Sequence, residues 1–168
     1  MREQITHVPD AIFLKDDENQ IEFNLITISE LYSWKIDHSI ERPHRLSFNA
    51  IIIIFKGKGV HTVDFVPYSY REGSVFFIAK DQIHNFKINP SSNGYILYFT
   101  DNFLNRLILS EDLNILYDIF DYIYHPAKIQ LDDNTYSDVL KLIQVLEQEF
   151  SIQKDNYKEP FNIYRHYL

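Results

Sequence analysis

The segment LSFNAIIIIFKGKGVHTVDFV, residues 46–66, decides the fold. It joins two β-rich runs, Leu46–Phe55 and Val60–Val66, through Gly57-Lys58-Gly59. Glycine adopts positive φ without steric strain, so two glycines flanking one lysine predict a tight turn between two strands. Ile51–Phe55 shows no alternation of apolar and polar residues, as expected of a strand buried on both sides. We predict that one face looks into the interior of a barrel and that the other meets a helix.

The rest of the region from residue 20 to residue 100 also divides into short β-rich runs. The seven predicted strands are Ile21–Ile28, Leu31–Ile36, Leu46–Phe55, Val60–Val66, Ser74–Ala79, His84–Ile88 and Tyr95–Thr100. Strands of this length and spacing are typical of a sandwich or a small barrel. Alternation along the strands places His84 and Phe86 on one inward face, and Tyr32 and Trp34 together on another face. His61 is expected to face solvent or a loop.

After residue 100 the spacing of apolar residues becomes helical. Asp101 and Ser110 are each placed to begin a helix, and the clearest helix spans about Asp133–Phe150, after a capping aspartate. A last helix is predicted to begin at Pro160, a residue type favoured at the first helical position. The sequence therefore predicts a mainly β fold with C-terminal helices.

The composition excludes several classes of protein. The chain has 168 residues, 45% of them hydrophobic, which is enough apolar surface for one folded domain. It has no cysteine, so disulfides and thiolate metal sites are excluded. A net charge of −8 repels phosphates, so we do not expect these residues to bind nucleic acid themselves. No signal peptide and no apolar run of membrane-spanning length is visible, so we expect a cytoplasmic protein without membrane contact.

Short motifs between residues 43 and 104 form an ordered set. They are Pro43-His44-Arg45-Leu46, Gly57-Lys58-Gly59, Val60–Phe65, Gly73–Ile78, Gln82-Ile83-His84 and Tyr95–Leu104. In this order and spacing they resemble the sensor domain of AraC-type transcription regulators, which belongs to the cupin superfamily. The resemblance covers most of the chain from about residue 20 onward. It implies a cupin-like β-barrel (a double-stranded β-helix) followed by an antiparallel helical pair.

The resemblance also implies that three successive parts of the chain have different roles. Residues 1–19 would form an N-terminal arm, residues 20–100 the effector-binding barrel, and residues 101–168 a helical region that joins two copies into a homodimer. The apolar stripe of the last predicted helix runs to Leu168 without a stop signal. This pattern suggests that the chain is truncated, and the resemblance implies a helix-turn-helix DNA-binding domain beyond residue 168, through which alone the protein would contact DNA.

The inward face of the predicted barrel supplies the candidate effector site. Aromatic rings offer flat apolar surfaces, as pockets for sugars and aromatic compounds do. We predict that the effector, a sugar or other small metabolite, contacts Tyr32, Trp34, His44, Phe48, His84, Phe86 and Tyr98. The alternative for each ring is simple core packing.

The amphipathic C-terminal helices supply the candidate dimer interface. Apolar helix faces left exposed favour association, and homodimers are the commonest oligomers. The predicted interface residues are Tyr136, Leu140, Ile143, Leu146, Phe150, Tyr164 and Tyr167. The alternative is that these helices only pack on the barrel.

The histidines depart from the metal site of cupin enzymes. His44 and His84 match the first and last histidine of that site, but Leu46 stands at the second. No glutamate occurs between Arg42 and Glu72, and two imidazoles without a carboxylate make a poor metal site. We predict a regulatory module with no catalytic residue, metal or cofactor. A metal-dependent cupin enzyme (isomerase or dioxygenase) and a dimerisation scaffold filled by its own aromatic residues are the alternatives.

Overall fold

Two β-sheets and a long helix form the body of the protein. The computed structural model describes residues 10–11, 23–33, 39–87, 89–107, 120 and 126–156. The strands are β1 (Asp10–Ala11), β2 (Phe23–Thr27), β3 (His44–Leu46), β4 (Asn49–Lys56), β5 (Gly59–Val63), β6 (Val66–Tyr70), β7 (Ser74–Ile78), β8 (Ile83–Phe86), β9 (Asn93–Phe99) and β10 (Lys128–Gln130). The helices are α1 (Ile28–Ser33), α2 (Asp101–Leu107) and α3 (Asp133–Asn156), with a 3-10 turn at Ser39–Glu41. The prediction of a mainly β fold with a C-terminal helix is confirmed.

The ten strands are divided between two sheets. The first sheet has the strand order β1-β3-β8-β5-β6, and the second has the order β10-β7-β4-β9-β2. All neighbours pair antiparallel except β1 and β3, which are parallel. A closed barrel requires hydrogen bonds between the edge strands of the two sheets. Among the described strands, the two sheets instead contact each other only through side chains in a common core. The predicted closed barrel is therefore wrong for the described strands, whose sheets keep their edges, and the double-stranded β-helix is not confirmed.

Strand β4 is buried on both faces, as its sequence predicts. Ile52 and Ile54 lie in the core between the two sheets. Ile51 and Ile53 point to the opposite face, where they pack in a cluster that includes Ile143 of α3. Helix α3 therefore covers the outer face of the second sheet. None of the helices in the described part of the chain is long and apolar enough to cross a membrane.

Helix α1 stands where the sequence predicts the start of a strand. The Glu30 carboxylate accepts hydrogen bonds from the backbone N–H and the hydroxyl of Thr27, at 2.7 and 2.9 Å. In return the Thr27 hydroxyl accepts the Glu30 backbone N–H at 3.0 Å. This reciprocal arrangement is a capping box, which starts a helix. The predicted strand Leu31–Ile36 is therefore wrong over Leu31–Ser33, and its remainder lies outside the described residues.

A tight turn at Asp64-Phe65 divides the predicted strand Val60–Val66 into the end of β5 and the start of β6. Both turn residues have positive φ, 46° and 65°, as a two-residue hairpin turn of type I′ requires. The Asp64 carboxylate accepts hydrogen bonds from the Gln82 side-chain amide at 2.7 Å and from the Ile83 backbone N–H at 3.2 Å. These bonds to the neighbouring chain segment hold a turn that contains no glycine.

Gly94 allows β9 to lie unusually close to β4. A Cβ atom at this position would lie 2.0 Å from the Ile53 carbonyl oxygen, a backbone atom that no rotamer change can move. The close approach positions Ile96 and Tyr98, which follow on the same face of β9, in the core between the sheets.

The predicted C-terminal helices are described in part. Helix α2 confirms a helix near Asp101, although Thr100 caps it by accepting the Phe103 backbone N–H at 3.2 Å. Helix α3 confirms the clearest predicted helix, and Asp132 caps it through the Thr135 backbone N–H at 2.8 Å. The helix predicted from Ser110, apart from Phe120, and the helix predicted from Pro160 lie outside the described residues.

Candidate functional site

A small cavity lies in the core between the two sheets. Its volume is about 40 Å³. This exceeds the volume that one water molecule requires, but it is well below the roughly 150 Å³ of an engineered cavity that binds benzene. The lining residues come from both sheets, from α1 and from the 3-10 turn: Ile26, Ile28, Leu31, Ile40, His44, Leu46, Phe48, Ala50, Ile52, His84, Phe86, Ile96 and Tyr98.

Five of the predicted ligand contacts meet at this cavity, namely His44, Phe48, His84, Phe86 and Tyr98. Tyr32 lies on α1 and is not among the lining residues; its hydroxyl accepts a hydrogen bond from the Asn89 backbone N–H at 3.4 Å. Trp34 lies outside the described residues. Binding of an effector by these side chains stays a prediction.

Most of the aliphatic lining is absent from the predicted site. Ala50 and Ile52 are the inward residues of β4, and Ile96 shares a face with Tyr98, so alternation along the strands would have found all three. Leu31 reaches the cavity from α1, and the Thr27–Glu30 capping box was the available signal for that helix. The sequence-based site favoured aromatic residues and so underestimated how aliphatic the cavity wall is.

Three buried histidines lie side by side at one end of the cavity region. His44 and His84 face each other in the β3–β8 pair, with ring centroids 4.3 Å apart. His61 reaches His84 from β5, and its Nε2 lies 3.0 Å from the His84 Nδ1 in a hydrogen bond. The His44 Nδ1 donates to the Arg42 carbonyl oxygen at 2.8 Å. Only the rings of His44 and His84 line the cavity, with His61 behind them.

The prediction that His61 faces solvent or a loop is wrong, because this side chain is fully buried. It shares a strand face with Val63, which is also buried, while Val60 on the other face is 39% exposed. Alternation within β5 was therefore the signal that identifies His61 as an inward residue.

Burial lowers the pKa of all three imidazoles. Loss of solvation, and secondarily the neighbouring His44, lowers the pKa of His61 to about 3. Desolvation also places the pKa of His84 well below its ordinary value, with further contributions from His61 and His44. Desolvation lowers the pKa of His44, and the Arg42 carbonyl opposes this change. The cluster is therefore uncharged near neutral pH.

The three histidines do not form a metal site. No group of three or more histidine, cysteine, aspartate or glutamate side chains within the described ranges is placed to hold a metal ion. The hydrogen bond between the His61 Nε2 and the His84 Nδ1 occupies one nitrogen of each of these two rings.

The predicted dimer residues on α3 already contact the chain's own second sheet. Ile143 and Phe150 are buried, and Leu146 packs in the same cluster. The Tyr136 hydroxyl donates to the Phe55 carbonyl oxygen at 3.2 Å.

The remaining predicted interface residues are less constrained. Leu140 is half-buried, and Tyr164 and Tyr167 lie outside the described residues. Among the side chains of α3 that the structure describes, Leu142 and Val145 are the large apolar ones exposed to solvent, at 65% and 57%.

Comparison with known proteins identifies the family. No curated protein matches the chain. The model of the AraC-like ligand binding domain matches residues 28–115, just over half of the chain. The match spans β3 to β9 and includes every residue of the cavity lining except Ile26. The match also covers the histidine and glycine motifs on which the resemblance in the sequence rests. Because it extends over more than half of the chain, the chain belongs to the family of AraC-like ligand binding domains.

Proposed function

We propose that the chain is the effector-sensing domain of an AraC-type transcription regulator and that the effector binds in the cavity between the two sheets. The observation that carries this proposal is the position of the cavity inside the matched ligand-binding region, where five predicted contacts converge. Concave, mostly apolar sites with a few polar groups are typical of small-molecule binding. The regulator would act in the cytoplasm and contact DNA through a separate helix-turn-helix domain.

Strand β4 offers a physical route from the cavity to α3. Ala50 and Ile52 line the cavity, and the alternate residues Ile51 and Ile53 pack in the cluster beneath α3. An effector that pushes on one face of this strand therefore acts on the packing of the helix at the other face. Such an effector shifts the balance between two arrangements only if it binds one of them more tightly.

We propose no catalytic role for this domain. The matched family is a family of ligand-binding domains, the buried imidazoles are neutral, and no carboxylate among the described residues lines the cavity beside them. The alternative of a metal-dependent cupin enzyme gains no support from the histidine geometry.

Filling the cavity should abolish the response to the effector. A compound that occupies the cavity at about 100 times its Kd should stabilise the protein by about 2.7 kcal/mol and raise its Tm by roughly 5–10 °C. Ala50→Val adds two methyl groups to the fully buried cavity wall, and we expect the shift to fall below about 1 °C. The measurement is thermal unfolding with a panel of sugars, organic acids and neutral aromatic compounds.

The matched control is Ala79→Val, the same substitution at a half-buried residue outside the cavity. This variant should respond to the effector as the wild-type protein does. An equal response of Ala50→Val would contradict binding in this cavity, and a panel without any active compound would remove the support for effector sensing.

We further infer that α3 contributes to a homodimer through its solvent-facing side. Replacing the exposed Leu142 and Val145 together by glutamate should weaken self-association at least about tenfold, because the change places charges in an apolar contact. Sedimentation velocity over a concentration series measures the change. Gln144→Glu with Gln148→Glu adds the same charges at exposed polar positions of α3 and should leave association nearly unchanged. Equal behaviour of the two double variants would contradict this interface.

A further inference from the structure

The polarity of the cavity wall restricts the kind of molecule that fits. Ten of its lining residues are aliphatic or phenylalanine, and none of the described lysine, arginine, aspartate or glutamate residues lines it. Within the described part of the chain, the polar side chains of the lining are His44, His84 and Tyr98. The Tyr98 hydroxyl already accepts a hydrogen bond from the Asn24 amide at 2.8 Å. A buried hydroxyl without a hydrogen-bond partner opposes binding, so a sugar with several hydroxyls does not suit this wall.

The His84 side chain offers a polar atom to a ligand in the cavity. The Nε2 of His84 is buried and has no hydrogen-bond partner, while the Nδ1 of the same ring is bonded to His61, behind the cavity. A buried polar atom without a partner is uncommon in a folded protein. His84 is one of the lining residues, so we infer that its Nε2 is the atom that a polar group of a ligand would satisfy.

The hydrogen bond with His61 leaves two tautomers of His84 open, and in each of them the His84 Nε2 has a different role. If the His84 Nδ1 donates to the His61 Nε2, the His84 Nε2 has no proton and accepts. If the His84 Nδ1 accepts instead, the His84 Nε2 carries the proton and donates. A hydroxyl can donate and accept, so it pairs with His84 in both tautomers. A charged group has no counter-charge in this wall, since the neighbouring imidazoles are neutral.

We propose that the effector is a neutral, largely apolar molecule with a single hydroxyl, such as a phenol or an apolar alcohol, and that this hydroxyl bonds to the His84 Nε2. The inference rests on the proposed function, because it names the ligand class of the same cavity. The cavity is smaller than an aromatic ring requires, so binding moves apart lining side chains that lie outside the sheets, such as Leu31 and Ile40.

The test compares four probes: phenol, benzene, benzoate and D-glucose. Titrations of the full chain are followed by methyl NMR signals of the cavity residues. Phenol should bind about tenfold more tightly than benzene, the effect of one hydrogen bond, and benzoate and glucose should leave the cavity signals unchanged. In His84→Phe, phenol and benzene should bind with equal affinity, which isolates the hydrogen bond.

A control and a second readout complete the design. Asn85→Phe introduces the same side chain at the next residue of β8, on the opposite strand face, and should keep the preference for phenol. In the wild-type protein, the imidazole ¹⁵N signals of His84 should shift with phenol and not with benzene, which tests the contact even if His84→Phe does not fold.

The outcomes separate this inference from the proposed function. Binding of glucose or benzoate more tightly than phenol overturns the ligand class and leaves effector sensing in place. Equal affinity of phenol and benzene for the wild-type protein overturns the role of His84. A cavity that accepts none of the four probes, nor any compound of the broader panel, overturns both proposals.

Discussion

Phe76→Ala is expected to lower the free energy of unfolding by about 3–5 kcal/mol. Phe76 lies at the centre of β7 and is fully buried in the core between the sheets. Its ring lies 4.7 Å from that of His61 and meets Tyr68 and Tyr70 edge-on, at 6.4 and 6.3 Å. Truncation removes these contacts and leaves a void that the two sheets can close only in part. Urea unfolding at neutral pH measures the loss.

Phe65→Ala is the matched control for this experiment. Phe65 sits in the β5–β6 turn and is 63% exposed. Its positive φ is retained by alanine at a similar conformational cost, so the expected change is within about 0.5 kcal/mol. A loss of less than about 1 kcal/mol for Phe76→Ala, or equal losses for the two variants, would show that the core is not packed as described.

Mild acid is expected to destabilise the protein through His61 and His84. Burial lowers the folded-state pKa of both groups, so near pH 6 the unfolded chain binds protons that the folded chain excludes. The contribution of these two groups to the free energy of unfolding is fully present above their pKa in the unfolded chain, about 6.5. This contribution decreases as the pH falls below that value. At about pH 5.5 each group lowers the free energy of unfolding by about 1.4 kcal/mol, together about 3 kcal/mol. The shift of His44 acts in the same direction.

The measurement is urea unfolding at neutral pH and at about pH 5.5. Replacing both His61 and His84 by phenylalanine, a ring without a titrating group, should remove most of the acid sensitivity. The single variant His61→Phe should remove about half of it and serves if the double variant does not fold. An unchanged pH dependence in these variants would show that other groups cause the acid effect.

The sequence predicted best those features that depend on a local pattern. The unbroken run Ile51–Phe55 predicted a strand with two buried faces, and β4 has them, one toward the core and one toward α3. The helical spacing of apolar residues after Asp133 predicted α3, and this too is a local pattern. Both patterns are properties of one segment and do not depend on its partner.

The errors arose where distant residues determine the conformation. The turn at Asp64-Phe65 lacks the usual glycine or asparagine, and its stability comes from Gln82 and Ile83, which belong to another part of the chain. Closure into a barrel depends on which strand edges pair, and no single strand's sequence determines that pairing. The predicted site contained His44 and His84 but missed His61: alternation within β5 indicates that His61 points inward, but its contact with His84 depends on the pairing of β5 with β8.

The close approach of β9 to β4 has a genetic consequence. Every amino acid reached from a glycine codon by one base change carries a Cβ, and at position 94 that carbon would meet the Ile53 carbonyl oxygen. No missense change at this codon is therefore conservative, because even alanine and serine carry a Cβ that collides with the same backbone atom. The codon tolerates only silent changes as long as β4 and β9 keep their present spacing.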